Sequence, residues 1–395
     1  MPPVNLLLKP ASSSCNMNCR YCFYHDVAEH REQAFQGMLT ESSLEKIIVS
    51  AFDYADHLCS FTFQGGEPTL AGLDFFQRAV ELQKMHNQKG LNVRNNIQTN
   101  GLLIDDSWAK FFKENNFLVG LSLDGPADLH NENRCDHQGK GSWQQVMRAA
   151  QLFQKHGVDF NILCVVTGNN ARFIEKIYRF YRRQDFGWLQ FIPCLEPIEQ
   201  ERGVAPYHLA REQYGDFLVR IFRLWLDDLK DGNYISIRHI DNWLSMLMGE
   251  PPEACNMSGR CSVQFVIEGD GGVYPCDFYV LDQWKIGVAG EQRFAEMRES
   301  AAANRFVEQS FPLPESCRLC RYGVLCRNGC LRDRTRFDER GSEVEAGEQE
   351  HCGKSVQRNY YCDAYRRFFG ECEAELAEAL RLIRGYRAQN ALRPR

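Results

Sequence analysis

The sequence predicts an α/β fold: a partial (β/α)6 barrel followed by a C-terminal cysteine-rich domain. Three observations carry this reading. Six short apolar runs alternate with amphipathic or loop segments between residues 4 and 195, and repeated β/α units imply a parallel sheet with helical crossovers. The polar punctuation of these runs falls at their C-terminal ends, where barrel and open-sheet enzymes place their sites. From Pro251 to Cys362, turns, Gly and Cys replace periodic apolar residues, as in small units that need metals or cross-links to fold.

The elements follow in order. Val4–Leu8 is an apolar strand that ends just before a group of cysteines. Ser43–Tyr54 has helical spacing of Leu44, Ile47, Ile48 and Phe52. Ser60–Phe63 reads as a buried strand running into Gln64-Gly65-Gly66-Glu67-Pro68, followed by a helix over about 73–88. Asn92–Gln98 is a strand ending in Thr99-Asn100-Gly101, and Asp105–Asn115 a helix. Phe117–Leu123 is a strand ending in Asp124-Gly125-Pro126, and Trp143–His156 a helix. Val158–Val166 and Trp188–Ile192 complete the strands, with a helix over Asn170–Arg183 between them. After Leu195 the pattern turns helical, at Arg211–Asp228 and Ile240–Met248, so the barrel is expected to stop at six units. A last helix, Glu371–Tyr386, carries Leu376, Leu380 and Ile383 on one face. The acidic stretch 339–350 reads as a solvated insertion. The expected division is a barrel over 1–235, a cysteine-rich domain over 236–370, and a terminal helix and tail over 371–395.

Composition narrows the function. With 46 Lys+Arg, 52 Asp+Glu and a net charge of −6, the chain is a poor general binder of phosphate backbones. No apolar run approaches a membrane span. The start lacks a basic region and a long apolar run, so no signal peptide is expected. These features point to a cytoplasmic protein with neither nucleic acid nor membrane as partner.

The 17 cysteines are unusual for such a chain. Disulfides are disfavoured in a reducing compartment, so clustered thiols read as metal ligands or redox groups. Cys59, Cys135, Cys164 and Cys194 stand apart and read as packing residues. Cys15-x3-Cys19-x2-Cys22 supplies three thiolates from one loop. Three can hold three irons of a [4Fe–4S] cube and leave the fourth open, the mark of a reactive site. An amine and a carboxylate, such as those of S-adenosylmethionine, suit that corner. Three zinc ligands or three buried thiols are the plainer alternative. Tyr21 and Phe23 flank the last thiol as an aromatic cover, and the Gly65-Gly66 pair permits close backbone approach to a ligand.

Further on, Cys255, Cys261 and Cys276 precede Cys317-x2-Cys320-x5-Cys326-x3-Cys330, with Cys362 later. Eight thiolates make two closed sets of four, suited to storing or carrying electrons. Two structural zincs are the rival. Arg318, Arg321, Arg327, Arg332, Arg334 and Arg336 interleave with these cysteines, and a zinc ribbon on a basic patch binds nucleic acid.

The Cys15/Cys19/Cys22 motif together with Gly65-Gly66-Glu67-Pro68 resembles the radical S-adenosylmethionine superfamily over residues 4–195. The second array resembles the SPASM domain of peptide-modifying radical enzymes. Longer stretches resemble the anaerobic sulfatase-maturating enzymes over most of residues 2–370. They include Pro10-Ala-Ser-Ser-Ser-Cys15, Phe63-Gln-Gly-Gly-Glu-Pro-Thr-Leu70, Val119-Gly-Leu-Ser-Leu-Asp-Gly-Pro126 and Tyr274-Pro-Cys-Asp-Phe-Tyr279.

The resemblance implies a (β/α)6 barrel with an iron–sulfur domain, three [4Fe–4S] clusters and S-adenosylmethionine. It implies oxidation of a Cys or Ser to Cα-formylglycine in a sulfatase polypeptide bearing a Cys/Ser-x-Pro/Ala-x-Arg segment. A low-potential electron donor such as flavodoxin or ferredoxin would serve it. Cys255, Cys261, Cys276 and Cys330 would hold an inner auxiliary cluster, and Cys317, Cys320, Cys326 and Cys362 an outer one.

Asp277, which alone reads as a surface carboxylate, becomes the general base. Ser122 and Arg134 suit the sugar and carboxylate of S-adenosylmethionine, although a capping or surface role is the default for each. Tyr21, Gly66 and Leu195 are carried over as further contacts, with His130 and Gln64 as weaker ones. The 339–350 insertion, Cys352 and Cys372 depart from the pattern, and the Asn359-Tyr-Tyr-Cys362 context favours Cys362 as the last ligand. The alternatives are another SPASM peptide maturase, forming thioethers or epimers, and a non-catalytic metal-stabilised binding protein. The short segment before Cys15 argues mildly against a maturase that reads a peptide leader.

Overall fold

A computed structural model of the chain describes residues 3–337 and 356–391. The acidic stretch 339–350 and Cys352 lie outside them. The chain forms two compact units. The first comprises residues up to Leu123 with Ala127–Leu163 and Ser262–Gln309. The second comprises Asp124–Pro126, Cys164–Cys261 and the residues from Ser310 onward.

The strands are β1 (Val4–Leu8), β2 (Leu58–Phe63), β3 (Asn92–Thr99), β4 (Leu118–Ser122), β5 (Asp159–Val166), β6 (Trp188–Pro193), β7 (Ser236–Ile237), β8 (Val266–Ile267), β9 (Gly272–Tyr274), β10 (Gly287–Val288), β11 (Arg334–Phe337) and β12 (Val356–Asn359). The six strands read from the alternating pattern are β1–β6. The first unit orders its strands β10-β9-β8-β1-β2-β3-β4-β5. From β1 through β5 every pairing is parallel. β8 joins the free edge of β1, also in parallel, with Leu8 opposite Ile267. β9 and β10 continue antiparallel. Ser262–Gln309, far away in sequence, is thereby part of the sheet that begins at Val4.

Burial explains the first unit. Val4, Leu6 and Leu8 of β1 and Phe61 and Phe63 of β2 are buried, opposite the apolar stripe of the helix Glu41–Tyr54, where Thr40 caps the Ser43 amide. Phe63 meets Phe76 edge-on at 5.0 Å between ring centroids, and Phe76 meets Trp108 at 5.3 Å. Each such side chain contributes roughly 1.5–3 kcal/mol on burial. Several elements were not legible as periodic segments, two of them helices of seven and eight residues in this unit. A helix, Phe23–Glu29, starts directly at Cys22, and another, Ala301–Glu308, is capped by Ser300.

In the second unit β6 pairs in parallel with β7, and β11 with β12 antiparallel, Arg334 opposite Asn359. The helices Arg211–Lys230, Arg238–Leu247 and Cys362–Glu371 surround an aromatic core. In it Trp243 lies 4.9 Å from Phe368 and Tyr214 lies 4.6 Å from Tyr361. No helix among the described residues is long and apolar enough to cross a membrane.

Candidate active site

Three neighbouring strands set the site. The first residues past the ends of β8, β1 and β2 are Glu268, Lys9 and Gln64. Lys9 N donates to Ile267 O at 2.8 Å, and Gln64 N to Leu8 O at 2.9 Å. Between β1 and the helix Phe23–Glu29 runs the loop that bears Cys15, Cys19 and Cys22, all half-buried and free of disulfides. A second loop clasps it: Asn18 N donates to Cys135 O at 2.8 Å and Arg20 N to Asn133 O at 3.0 Å. Cys135, expected to be a packing residue, is accordingly half-exposed in this clasp, whereas Cys59, Cys164 and Cys194 are buried.

The loop after β2 braces the cysteine loop from below. Gly66 N donates to Ser12 O at 2.9 Å and Glu67 N to Ser14 O at 2.7 Å. A Cβ on Gly66 would lie 1.9 Å from Ser14 O, so only glycine permits this approach. The buried Glu67 carboxylate accepts from Thr69 N, Thr69 Oγ1, Thr99 Oγ1 and Asn100 N. Burial pushes its carboxyl upward, and these hydrogen bonds pull the other way. Asn100 in turn donates to Asn16 Oδ1 at 2.7 Å, with Cys15 Sγ at 3.8 Å.

Burial, helped by the Glu67 charge, pushes the Cys15 thiol up to about 12, and burial raises Cys22 as well. Such thiols release their protons on binding metal. Among the described residues no three His, Cys, Asp or Glu side chains converge as they would on one ion. Three thiols from one loop are the number that would bind three corners of a cluster.

Asp277 sits in the same unit, one residue beyond Cys276. Tyr24 OH donates to Asp277 Oδ2 at 2.6 Å and Gln64 Nε2 donates to the same oxygen at 3.1 Å. Gln64 Nε2 also donates to Tyr24 OH. Lys9 Nζ lies 3.2 Å from Asp277 Oδ1 and 3.3 Å from Glu268 Oε1. Arg31 Nη1 reaches Glu268 Oε1 at 2.8 Å. All four charged residues are buried, two cations against two carboxylates, the pairing that burial demands. Burial, followed by the charge of Asp277, holds the Tyr24 phenol well above its ordinary value, so it stays protonated and donates. Burial opposes ionisation of Glu268, but Lys9 and Arg31 outweigh it and its carboxyl is lowered. Of this set, the sequence singles out only Asp277 and Gln64; Tyr24 directly follows the aromatic cover of the cysteine loop. Lys9, Arg31 and Glu268 carried no motif, and their signal is polar residues set directly after or beside apolar strands.

Ser122 ends β4 and is buried, as are Tyr21 and Arg134. The Arg134 guanidinium lies 5.5 Å from the Tyr21 ring centroid. His130 is fully buried, its Nε2 3.0 Å from Ser142 Oγ, which donates to Arg134 O at 3.1 Å. Burial and then the Arg134 charge keep the imidazole neutral. His130 thus orients the Arg134 backbone. Leu195, half-buried just past β6, belongs to the second unit.

The second unit gathers Cys317, Cys320, Cys326 and Cys362 around a cavity of about 480 Å³. Four thiols and no other acidic ligand match a closed cluster site. Cys372 is fully buried and borders no part of it. Cys255, Cys261 and Cys330 also belong to this unit, whereas Cys276 belongs to the first. Burial raises the Cys330 thiol, and the charges of Asp333, Cys255 and Cys261 add to the effect. Arg334 is buried and directs its guanidinium at Ser310 O (2.8 Å), Gly259 O (2.7 Å), Gly329 O (3.1 Å) and Asn328 O (3.2 Å). Ser310 Oγ accepts from Cys261 N at 2.9 Å. This arginine therefore staples the loops of Cys261 and Cys330. Arg332 donates to Glu196 O at 2.6 Å and Arg327 to Val324 O at 3.1 Å, so at least three of the six interleaved arginines are spent on backbone carbonyls.

Comparison with known proteins agrees with this geometry. The model of the radical SAM superfamily matches residues 10–181, and that of the SPASM iron–sulfur cluster-binding domain matches 255–321. A cysteine-type anaerobic sulfatase-maturating enzyme of Clostridium perfringens strain 13 is 46% identical over 93% of this chain and 96% of its own length. A serine-type enzyme of Bacteroides thetaiotaomicron is 33% identical over 93% of this chain and 89% of its own. A solved structure, native anSMEcpe with bound AdoMet and Cp18Cys peptide, superposes with a TM-score of 0.88 at 44% identity. It covers 97% of this chain and all of that one. Fold, cysteine loops and identity over nearly the whole length agree: the chain belongs to the anaerobic sulfatase-maturating enzymes of the radical SAM superfamily.

Proposed function

We propose that this chain oxidises a Cys residue of a sulfatase, within a Cys-x-Pro/Ala-x-Arg segment, to Cα-formylglycine. The observation that carries the reading is Asp277, beside Cys276 and held by Tyr24 and Gln64 in the unit that bears the Cys15/Cys19/Cys22 loop. Cysteine is favoured over serine because the relatives named cysteine-type share 44–46% identity with this chain, against 30–33% for the serine-type ones.

Cys15, Cys19 and Cys22 would hold the reactive [4Fe–4S] cluster. Cys255, Cys261, Cys276 and Cys330 would hold the inner auxiliary one, and Cys317, Cys320, Cys326 and Cys362 the outer one. Tyr21, Gly66, Ser122, Arg134 and Leu195 would receive S-adenosylmethionine, with the Arg134 fork suited to its carboxylate. When bound, these groups supply reductive carbon–sulfur cleavage, hydrogen-atom abstraction and uptake of the second electron.

The chain's own residues handle the proton. Asp277 accepts it from the substrate thiol as general base. Tyr24 and Gln64 fix Oδ2 by donating to it, and Lys9 balances the carboxylate from the side of Oδ1. A low-potential carrier, flavodoxin or ferredoxin, supplies the reducing electron. The activity is placed in the cytoplasm, where 17 cysteines stay reduced and available to iron.

Anaerobic incubation with matched Cys and Ser peptides, read by mass spectrometry, tests the reading. The Cys peptide is expected to become formylglycine at the higher rate. Asp277→Asn is expected to go on forming 5′-deoxyadenosine while formylglycine falls by roughly 10²–10⁴-fold. Wild-type yield from that variant would remove Asp277 from the mechanism.

A further inference from the structure

Strands β2 to β5 turn one apolar face to the helices. Phe63, Ile97, Val119 and Leu121 are buried on it, and Phe63 meets Phe76 of the helix Leu73–His86 there. The residues that alternate with these point to the opposite face. On that face Gln98 stands opposite Gly120, and Gly120 opposite Asn161. Phe63 pairs with Ile97, so Gln64, the next residue, comes level with Gln98. A row of Gln64, Gln98, Gly120 and Asn161 thus crosses four neighbouring strands, one layer below Ser122. Parallel strands covered on both faces carry Val, Ile and Leu at such positions, and a filled barrel does so inside. Three carboxamides and a glycine are not packing residues.

The row is also unspent. One layer further down, Asn96 donates to Ser60 Oγ at 3.0 Å and to Thr62 Oγ1 at 3.3 Å. The side chains of Gln98 and Asn161 are half-buried and make no hydrogen bond to any other of the described residues. Gly120 keeps the space between them open. A Cβ there would lie 2.6 Å from Leu163 Cδ1 and 3.8 Å from Asn161 Oδ1. Glycine inside a strand marks a place where a ligand or another backbone comes close. At one end of the row Gln64 Nε2 donates to Asp277 Oδ2 at 3.1 Å, so the row is continuous with the proposed base.

We propose that Gln98 and Asn161 are substrate-binding residues that pair with main-chain amides of the sulfatase polypeptide beside the reacting Cys, with Gly120 admitting its backbone. A carboxamide offers one carbonyl acceptor and an N–H donor, the same pair that a peptide group presents in reverse. The row carries no charge, so it suits a neutral main chain and offers nothing to the ammonium, carboxylate or sulfonium of S-adenosylmethionine. The x positions of a Cys-x-Pro/Ala-x-Arg segment fix no side chain, and the backbone is what can be read there. The proposal deepens the formylglycine reading and rests on it, since that reading supplies the polypeptide.

The test uses anaerobically reconstituted holoprotein with S-adenosylmethionine and no reductant, so that nothing turns over. Calorimetry measures its affinity for a Cys-x-Pro-x-Arg peptide and for esters that replace, one at a time, the amides on either side of the Cys. Gln98→Leu and Asn161→Leu, close in size to the originals, are each expected to weaken the peptide about 3–10-fold. Iron content and affinity for S-adenosylmethionine are expected to stay at wild-type levels. At least one ester is expected to weaken binding to the wild type by a similar factor, and that loss is expected to shrink in one of the variants, as for groups in contact. A loss of fold or iron in the variants would not produce that pattern, and the esters on the wild type need no variant. Unchanged peptide affinity in both variants, esters that all bind the wild type as the peptide does, or a fall in S-adenosylmethionine affinity alone would overturn the proposal. Failure of the reduced wild type to convert the peptide would instead overturn the formylglycine reading, because the affinities are measured without turnover.

Discussion

Lys9 and Glu268 stand side by side because each is the first residue past one of two paired strands, β1 and β8, and their side chains meet at 3.3 Å. The same ammonium lies 3.2 Å from Asp277 Oδ1. A register fixed by apolar pairing thus delivers a buried cation to the proposed base.

Replacing Lys9 by Met is expected to leave the buried Glu268 carboxylate with Arg31 and that of Asp277 with no cation in contact among the described residues. Breaking a buried pair in this way costs about 3–5 kcal/mol, measurable by denaturant unfolding. Formylglycine formed per S-adenosylmethionine cleaved is expected to fall, because Asp277 loses the partner that holds Oδ1. Lys9→Arg, which keeps the charge, is expected to recover part of both.

Gly66→Ala drives a methyl to within 1.9 Å of Ser14 O. Backbone cannot yield as a side-chain tip does, so the cysteine loop must shift, at a cost of about 3 kcal/mol. The expected outcome is loss of iron from the Cys15/Cys19/Cys22 site with the auxiliary clusters kept, read by iron analysis and paramagnetic resonance.

Arg334→Lys removes the planar fork that binds four carbonyls. The loops of Cys261 and Cys330 are expected to loosen together. About one cluster's worth of iron is expected to be lost, while the four thiols around the outer cavity keep theirs.

His239 sets a pH dependence of stability. Burial, then the nearby charge of Arg238, lowers its imidazole from 6.5 to about 4, and Nε2 has no hydrogen-bond partner among the described residues. The unfolded chain then binds the proton at a higher pH than the folded one. This contribution is complete above pH 6.5 and is lost as pH falls toward 4, by roughly 3 kcal/mol. Unfolding followed across that range is expected to show the slope in the wild type, and His239→Gln is expected to flatten it.

Much of this was legible in one dimension. Alternating apolar runs identify β1 through β6, because strand and helix periodicities survive in any context. Cys15-x3-Cys19-x2-Cys22 and Cys317-x2-Cys320 are visible because their thiols stand close along the chain, the spacing expected of ligands to one metal group. The helix at Phe23–Glu29 was not visible, since seven residues packed with aromatic and polar side chains carry no apolar stripe. Glu67 was visible only as a motif letter, and its clamp on Thr99 and Asn100 depends on β2 lying beside β3.

Alternation along the chain by itself determined the fold class, and the resemblance of its motifs pointed to the family. Tertiary structure alone decided that Ser262–Gln309 lies along β1, and so that Asp277 meets Lys9, Tyr24 and Gln64. The reason is physical: a metal loop is a local constraint, whereas a balanced set of buried charges depends on strand register between segments more than 200 residues apart.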